Sequence, residues 1–368
     1  MALLSGTFLA LLSTLTLVVV AATALVWPRL ARRAVLPVAG RIALLLSCQV
    51  LAVLLAATAV NRTFDFYAAW AELVPPAVST DAIAPTPVAP VKGGHATPPP
   101  RPYSGAADNR PGRLVPITVP GTGGLQESGL AYLPPQYDEP AHRHDRFPAV
   151  LVLAGYPGHV LSLVNALGLP GTMNRGLAAG KVRPMVMVLM SPTVVPPRDT
   201  ECANVPGGPQ VETYLAKDVP AWVATPRRTS GMTAVLGAST GGFCAIKLAT
   251  RHPGQFQQSV ALSGYIHPLQ DSTTGELYAH DPVLRQHSDA IWLLQHGASP
   301  RVAYLLAASR TEGQVYPQLL QFAAALRPPA TLTTIVLPSG GHNYGVWRTE
   351  LPAALRWLSA RVAGATIA

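Results

Sequence analysis

Two hydrophobic patterns divide this chain. Residues 3–27 and 42–60 are long, largely apolar runs without a charged side chain. Each is close to the ~20 residues that cross a bilayer as a helix. From residue 147 onward the pattern changes to short apolar runs, near 148–153, 184–190, 233–236, 259–263, 302–308 and 332–337. Runs of that length, rich in Val, Leu and Ile and alternating with longer helical stretches, predict parallel strands buried on both faces. The fold class expected from this half is α/β, a doubly wound and mostly parallel sheet flanked by helices. Helices are expected over 242–250 and 346–362.

Between the two patterns lies a third kind of sequence. Residues 61–112 are rich in Pro, Ala, Thr and Gly, with Thr97-Pro-Pro-Pro-Arg-Pro102 as the most extended piece. Such a stretch buries too little apolar surface to offset the entropy of ordering, so it reads as a tether. Three segments follow: a two-helix transmembrane hairpin (1–60), a Pro/Ala-rich linker (61–112) and an α/β domain (113–368). A short interfacial helix over 64–73, with Trp70 at headgroup level, is expected where the linker leaves the membrane. The first run has no basic segment before it, is too long for a signal-peptide core and is followed by a second run, so it reads as a span.

Charge then fixes an orientation. Every charged residue in the first 60 is an arginine (Arg29, Arg32, Arg33 and Arg41), in or beside the loop joining the two runs. The excess of arginine places that loop in the cytoplasm, so both termini face outward and the domain is extracytoplasmic. The whole chain carries +9, and residues 113–368 hold 19 basic and 14 acidic residues. These charges are scattered, without the clustered Lys/Arg and interleaved aromatics of a nucleic-acid surface. Attraction to anionic lipid headgroups fits them better. No metal or cofactor motif emerges; His142-Arg-His144-Asp145 is a lone short cluster that reads as solvated.

The candidate chemistry centres on Gly237-Ala-Ser239-Thr-Gly241, which ends one apolar run and opens a helix. A serine at such a strand-to-helix corner projects its hydroxyl from the sheet edge, at the positive end of the helix. It needs a base, an acid and an oxyanion hole. His342 follows the last strand on the glycine-rich loop Pro338-Ser-Gly-Gly-His342 and suits the base. Glu312, after the strand near 302–308, is the lone carboxylate between Asp289 and Glu350 and suits the acid; Asp281 and Asp289 are the alternatives. The hole is expected from the backbone amides of Thr240 and Tyr156, the latter in the bend after the strand near 148–153. Cys202 and Cys244 invite a disulfide if the domain faces an oxidising exterior, pinning the 192–209 loop to the nucleophile helix. A buried small apolar role for Cys244 is the alternative. Cys48 lies within the second apolar run.

These pieces together resemble the esterase family of α/β-hydrolases that includes S-formylglutathione hydrolases and mycolyltransferases. The resemblance runs from Arg113 to the C-terminus. It rests on AYLPPQY (131–137), VLVLAGYP (150–157), VETYL (211–215), GASTGGF (237–243), LSGY (262–265), Gly341-His342 and the spacing from Glu312 to His342. In that family the residues matching Ser239, Glu312 and His342 form the triad, and the amides matching Tyr156 and Thr240 form the hole. Many relatives have His-Gly or Asp-Gly before the first amide, where this chain has Ala154-Gly155.

The function expected is a membrane-anchored serine esterase that hydrolyses carboxylic esters, lipid esters among them, through an acyl-enzyme. A cell-envelope acyltransferase, passing the acyl group to a sugar or lipid hydroxyl, is the second reading. A non-catalytic envelope protein with a hydrolase shell is the third, and a broken triad would mark it. Acyl length, alcohol specificity and oligomeric state have no readable signal.

Overall fold

The computed structural model describes residues 5–31, 34–64, 66–67, 70, 85–87, 111–224 and 228–362. The chain divides into two compact units, residues 1–77 with 339–343, and residues 78–338 with 344–368.

The first unit holds helices α1 (Gly6–Val26) and α2 (Val35–Phe64). Ser5 opens α1 by accepting the Phe8 amide at 3.2 Å, the capping that a helix start requires. Ser13, Thr14, Thr16 and Thr23 each donate to the carbonyl four residues back, so their hydroxyls need no outside partner. No residue of α1 is buried. Both helices are long and apolar enough to cross a membrane. Helix α2 starts before the apolar run at 42, because Pro37 falls in its first turn, where a missing N–H is tolerated. Thr23 Oγ1 and Cys48 Sγ meet at 3.4 Å.

Of the interfacial helix expected over 64–73, Phe64 ends α2, residues 66 and 67 are non-helical and Trp70 lies in a 3-10 turn, so no continuous helix joins them. The Asn61 amide explains this, donating to the Tyr67 carbonyl at 2.9 Å and accepting its N–H at 2.8 Å, which folds the chain back. Trp70 packs edge-on against Phe8 with ring centroids 5.4 Å apart. The remainder of that expectation, and the tether at 71–84 and 88–110, lie outside the described residues.

The second unit is built on one nine-stranded sheet. In chain order its strands are β1 (Thr86–Pro87), β2 (Arg113–Pro120), β3 (Gln126–Leu133), β4 (Phe147–Leu153), β5 (Val186–Met190), β6 (Thr229–Ala238), β7 (Gln258–Leu262), β8 (Ala303–Ser309) and β9 (Thr331–Leu337). In space they run β1-β9-β8-β7-β6-β4-β5-β3-β2. The six expected strands are β4 to β9, and they pair in parallel. The antiparallel β2–β3 hairpin and the two-residue β1, which falls inside the expected linker, extend the sheet at its two edges. Pro116 and Pro120 in β2 disguise that strand in the sequence, yet they are tolerated at an edge where no further ladder is needed.

Strands β4 and β5 are buried throughout. Their side chains alternate between two cores. Phe147, Ala149, Leu151 and Leu153 face one, while Val150 and Val152 face the other. The second core is covered by α3 (Leu169–Ala178) and, at the C-terminal end, by the helix Tyr344–Ser359. The first is covered by α4 (Val211–Thr213), which runs through a π-helical turn into α5 (Val219–Ala224), and by α6 (Thr240–Arg251). Beyond the short α7 (Pro282–Gln286), α8 (Ala290–His296) and α9 (Val315–Ala325) complete that layer. The C-terminal helix is α10. Helices on both faces of a mostly parallel sheet leave one carboxyl edge free for a site.

Candidate active site

Strand β6 runs into α6 through Ser239, which adopts φ 56° and ψ −124°. A non-glycine residue there costs roughly 1–3 kcal/mol and persists only where its surroundings impose it. They do so here. The Ser239 amide donates to the Leu262 carbonyl at 3.0 Å, and its carbonyl accepts the Phe243 amide at 2.9 Å. The two glycines leave no choice of path: a Cβ on Gly237 would lie 2.0 Å from the Gly241 oxygen, and one on Gly241 would lie 2.2 Å from the Leu153 oxygen. Ser239 itself is half-buried, at the first turn of the twelve-residue α6.

The neighbouring parallel strand β4 ends beside this corner. A Cβ on Gly155 would sit 3.0 Å from Ser239 Cβ and 3.6 Å from Ser239 Oγ. The Gly155–Tyr156 bend therefore borders the serine side chain, and only a residue without a side chain lets it approach so closely. The Tyr156 ring is half-buried, and its hydroxyl donates to the Pro197 carbonyl at 2.7 Å. Thr240, the residue after the serine, is buried, and its hydroxyl donates to Asp199 Oδ2 at 2.7 Å.

Glu312 lies in the turn after β8, two strands across from β6, with only 2% of its surface exposed. Its Oε2 accepts the Ser309 amide at 2.8 Å. The alternative acids have structural employment. Asp281 caps α7 through the Val283 and Leu284 amides. Asp289 caps α8 through the Ile291 and Trp292 amides and pairs with His267 Nδ1 at 2.7 Å. His342 is half-buried in the loop that connects β9 to α10.

One carboxyl group at this edge has no counterpart in the sequence reading. Glu350, on α10, is fully buried, and neither of its oxygens has a hydrogen-bond partner. Burial, with the charge of Glu312 added, pushes its pKa well above the usual carboxyl range. The signal was there: Glu350 follows Val346 and Trp347 at helical spacing on the core-facing side of α10.

A second polar cluster lies under α6. Cys202 and Cys244 form a disulfide, with Cα atoms 5.8 Å apart. Burial pushes the Glu201 carboxyl up to about 8, although it accepts the Tyr265 hydroxyl at 2.7 Å and the Leu269 amide at 3.0 Å. Glu212 goes the other way. Burial opposes its charge, but His252, Lys247 and Arg251 outweigh burial and hold it near 2. Among the described residues no group of three or more His, Cys, Asp or Glu is placed to hold a metal ion.

Known proteins resemble this arrangement. Residues 128–358 match the family described as "Putative esterase". A 75-residue stretch is 39% identical to the MPT51 antigen of Mycobacterium leprae, covering 20% of this chain and 25% of that protein. The chain thus spans about a quarter of the length of that curated relative. A ferulic acid esterase structure superposes with a TM-score of 0.58 at 17% identity, over 68% of this chain and 99% of its own. An S-formylglutathione hydrolase from Agrobacterium tumefaciens does so with a TM-score of 0.58 at 16% identity, over 68% and 96%. These likenesses establish the α/β-hydrolase fold. With most of the chain matched, it belongs to the esterase family, a family of enzymes that act on esters.

Proposed function

We propose that this member of the esterase family is a membrane-anchored serine esterase, in which Ser239 attacks an ester carbonyl. The strained backbone of Ser239 carries the reading, because a fold held at φ 56° by glycines on both sides has little other use for a serine there. In this mechanism His342 accepts the Ser239 proton, and Glu312 holds the imidazole tautomer and stabilises the imidazolium. The Thr240 amide, at the positive end of α6, and the Tyr156 amide receive the developing oxyanion. The alcohol leaves with the proton from His342, and water, activated by the same histidine, releases the acid.

Ser239→Ala tests this directly with a short chromogenic ester. The expected loss in kcat is about 10⁴-fold or more; retained turnover refutes the assignment. A sugar or lipid hydroxyl in place of water would turn the same acyl-enzyme toward transfer, and mass spectrometry of products with and without an acceptor alcohol separates the two outcomes. Two helices long and apolar enough to span, joined through a loop with Arg29, support a hairpin with its loop in the cytoplasm and the domain outside. A reporter fused to the C-terminus that reads as cytoplasmic would refute that orientation.

A further inference from the structure

Both proposed oxyanion amides belong to residues whose side chains reach the same loop. The Tyr156 hydroxyl donates to the carbonyl of Pro197 at 2.7 Å. The Thr240 hydroxyl donates to Asp199 Oδ2 at 2.7 Å, two residues further along. A main-chain amide needs no particular side chain in order to donate, so two side chains tied to neighbouring positions of one segment call for a separate explanation.

That segment is itself firmly held. The Asp199 amide donates to the Thr273 carbonyl at 3.0 Å, and Arg198 Nε donates to the Thr274 carbonyl at 2.8 Å. The Thr200 hydroxyl closes the loop on the Pro192 carbonyl at 2.7 Å. Asp199 uses its second oxygen to accept the Glu201 amide at 3.0 Å. Glu201 and Cys202 both adopt positive φ, 43° and 51°, which places Cys202 against α6. The disulfide joins it to Cys244, one helical turn from Thr240. The first turn of α6 is therefore fastened at two points on one face, by a hydrogen bond at Thr240 and covalently at Cys244. Tyr265 adds a brace, donating to Glu201 Oε1 at 2.7 Å and lying 3.3 Å from Thr240 Oγ1. Asp199, Thr200, Glu201 and Cys202 are all buried, so water does not compete for the bonds they make, whereas the Tyr156–Pro197 bond lies exposed to it.

We propose that residues 192–203 form a strap that sets the spacing and direction of the two oxyanion amides, with Asp199 and the Pro197 carbonyl as its attachment points. The proposal rests on the reading of Ser239 as nucleophile and of the Tyr156 and Thr240 amides as its oxyanion donors. Asp199, and the side chains of Tyr156 and Thr240, are positioning groups here; the chemistry stays with the amides. A preorganised hole differs from a loose one in the transition state, not in the bound substrate, so the strap should act on kcat and leave KM nearly unchanged.

Tyr156→Phe and Thr240→Val, in the full chain, each delete one hydroxyl and keep the amide. Each should lower kcat about 10-fold, with KM within about threefold. Each should also weaken binding of an alkyl boronic acid, a tetrahedral analogue, by a matching factor. Thr240→Ser should restore most of both. Tyr156 is half-buried, so its variant folds even if Thr240→Val proves too unstable to assay. Unchanged kcat in Tyr156→Phe, a rise in KM alone, or a kcat loss without the matching loss of boronate affinity overturns the strap. Ser239→Ala separates this from failure of the underlying reading: if that variant turns over, the nucleophile is wrong, whatever the strap variants do.

Discussion

Ser239 and Glu312 stand at the carboxyl ends of β6 and β8, separated in the sheet by β7. At Ser239 the main chain is the working material. Its φ of 56°, the glycines that admit it and the amides around it would be the same for almost any small side chain. At Glu312 the main chain is ordinary and the side chain matters: a buried carboxyl group, held by the Ser309 amide, with a second carboxyl group on Glu350 close enough to feel its charge. One corner is specified by absent atoms, the other by a charge. Substitutions that add bulk should therefore damage the first corner most, and substitutions that alter charge should damage the second.

The largest expected break is Gly241→Ala. The added methyl would meet main-chain oxygens of Leu153 and Ala154 at 2.2 and 2.7 Å, and neither is a flexible side-chain end. Overpacking of this kind costs about 1–3 kcal/mol or more. Soluble yield or melting temperature should fall sharply, and the protein that remains should lose activity more than about 100-fold. A variant with native melting temperature and kcat would show that the corner tolerates bulk.

Smaller in its effect on the fold is Glu312→Gln, which keeps shape and removes charge. If Glu312 orients His342, kcat should drop about 10³- to 10⁴-fold while KM and melting temperature change little. A loss below about tenfold would transfer the acid's role elsewhere. The comparison would then fail, because this turn would be structural in the same sense as the caps at Asp281 and Asp289.

The two corners also differ in how legible they were. Gly237, Ser239 and Gly241 form a local pattern: strand, tight turn and helix all fall within a dozen residues, so the sequence could announce them. The six parallel strands were readable for a related reason, since double-sided burial writes continuous apolar runs. The β2–β3 hairpin was not, because an edge strand interrupted by Pro116 and Pro120 carries no such run. Nor was the link from Asp199 to Thr240, which spans 41 residues and depends on how the loop folds back. The sequence points to Tyr156 only through its backbone amide; the use of its hydroxyl appears only in three dimensions.

The smallest effect on turnover, and the sharpest test of the charge at the second corner, is expected from Glu350→Gln. A carboxyl group free in the unfolded chain titrates near 4.3. In the fold, burial and the charge of Glu312 raise the Glu350 pKa well above that. Below about pH 4 both states carry the proton, and folding stability does not depend on it. As pH rises toward the folded pKa, the unfolded chain releases the proton and the native state retains it, so this group's contribution to stability is lost. Glutamine does not titrate. The melting temperature of Glu350→Gln relative to wild type should therefore climb steadily from about pH 4 to pH 8, while kcat at neutral pH stays within about threefold. A difference that is flat across this range would mean that Glu350 is already ionised beside Glu312, and the acid turn would then have to accommodate two buried charges rather than one.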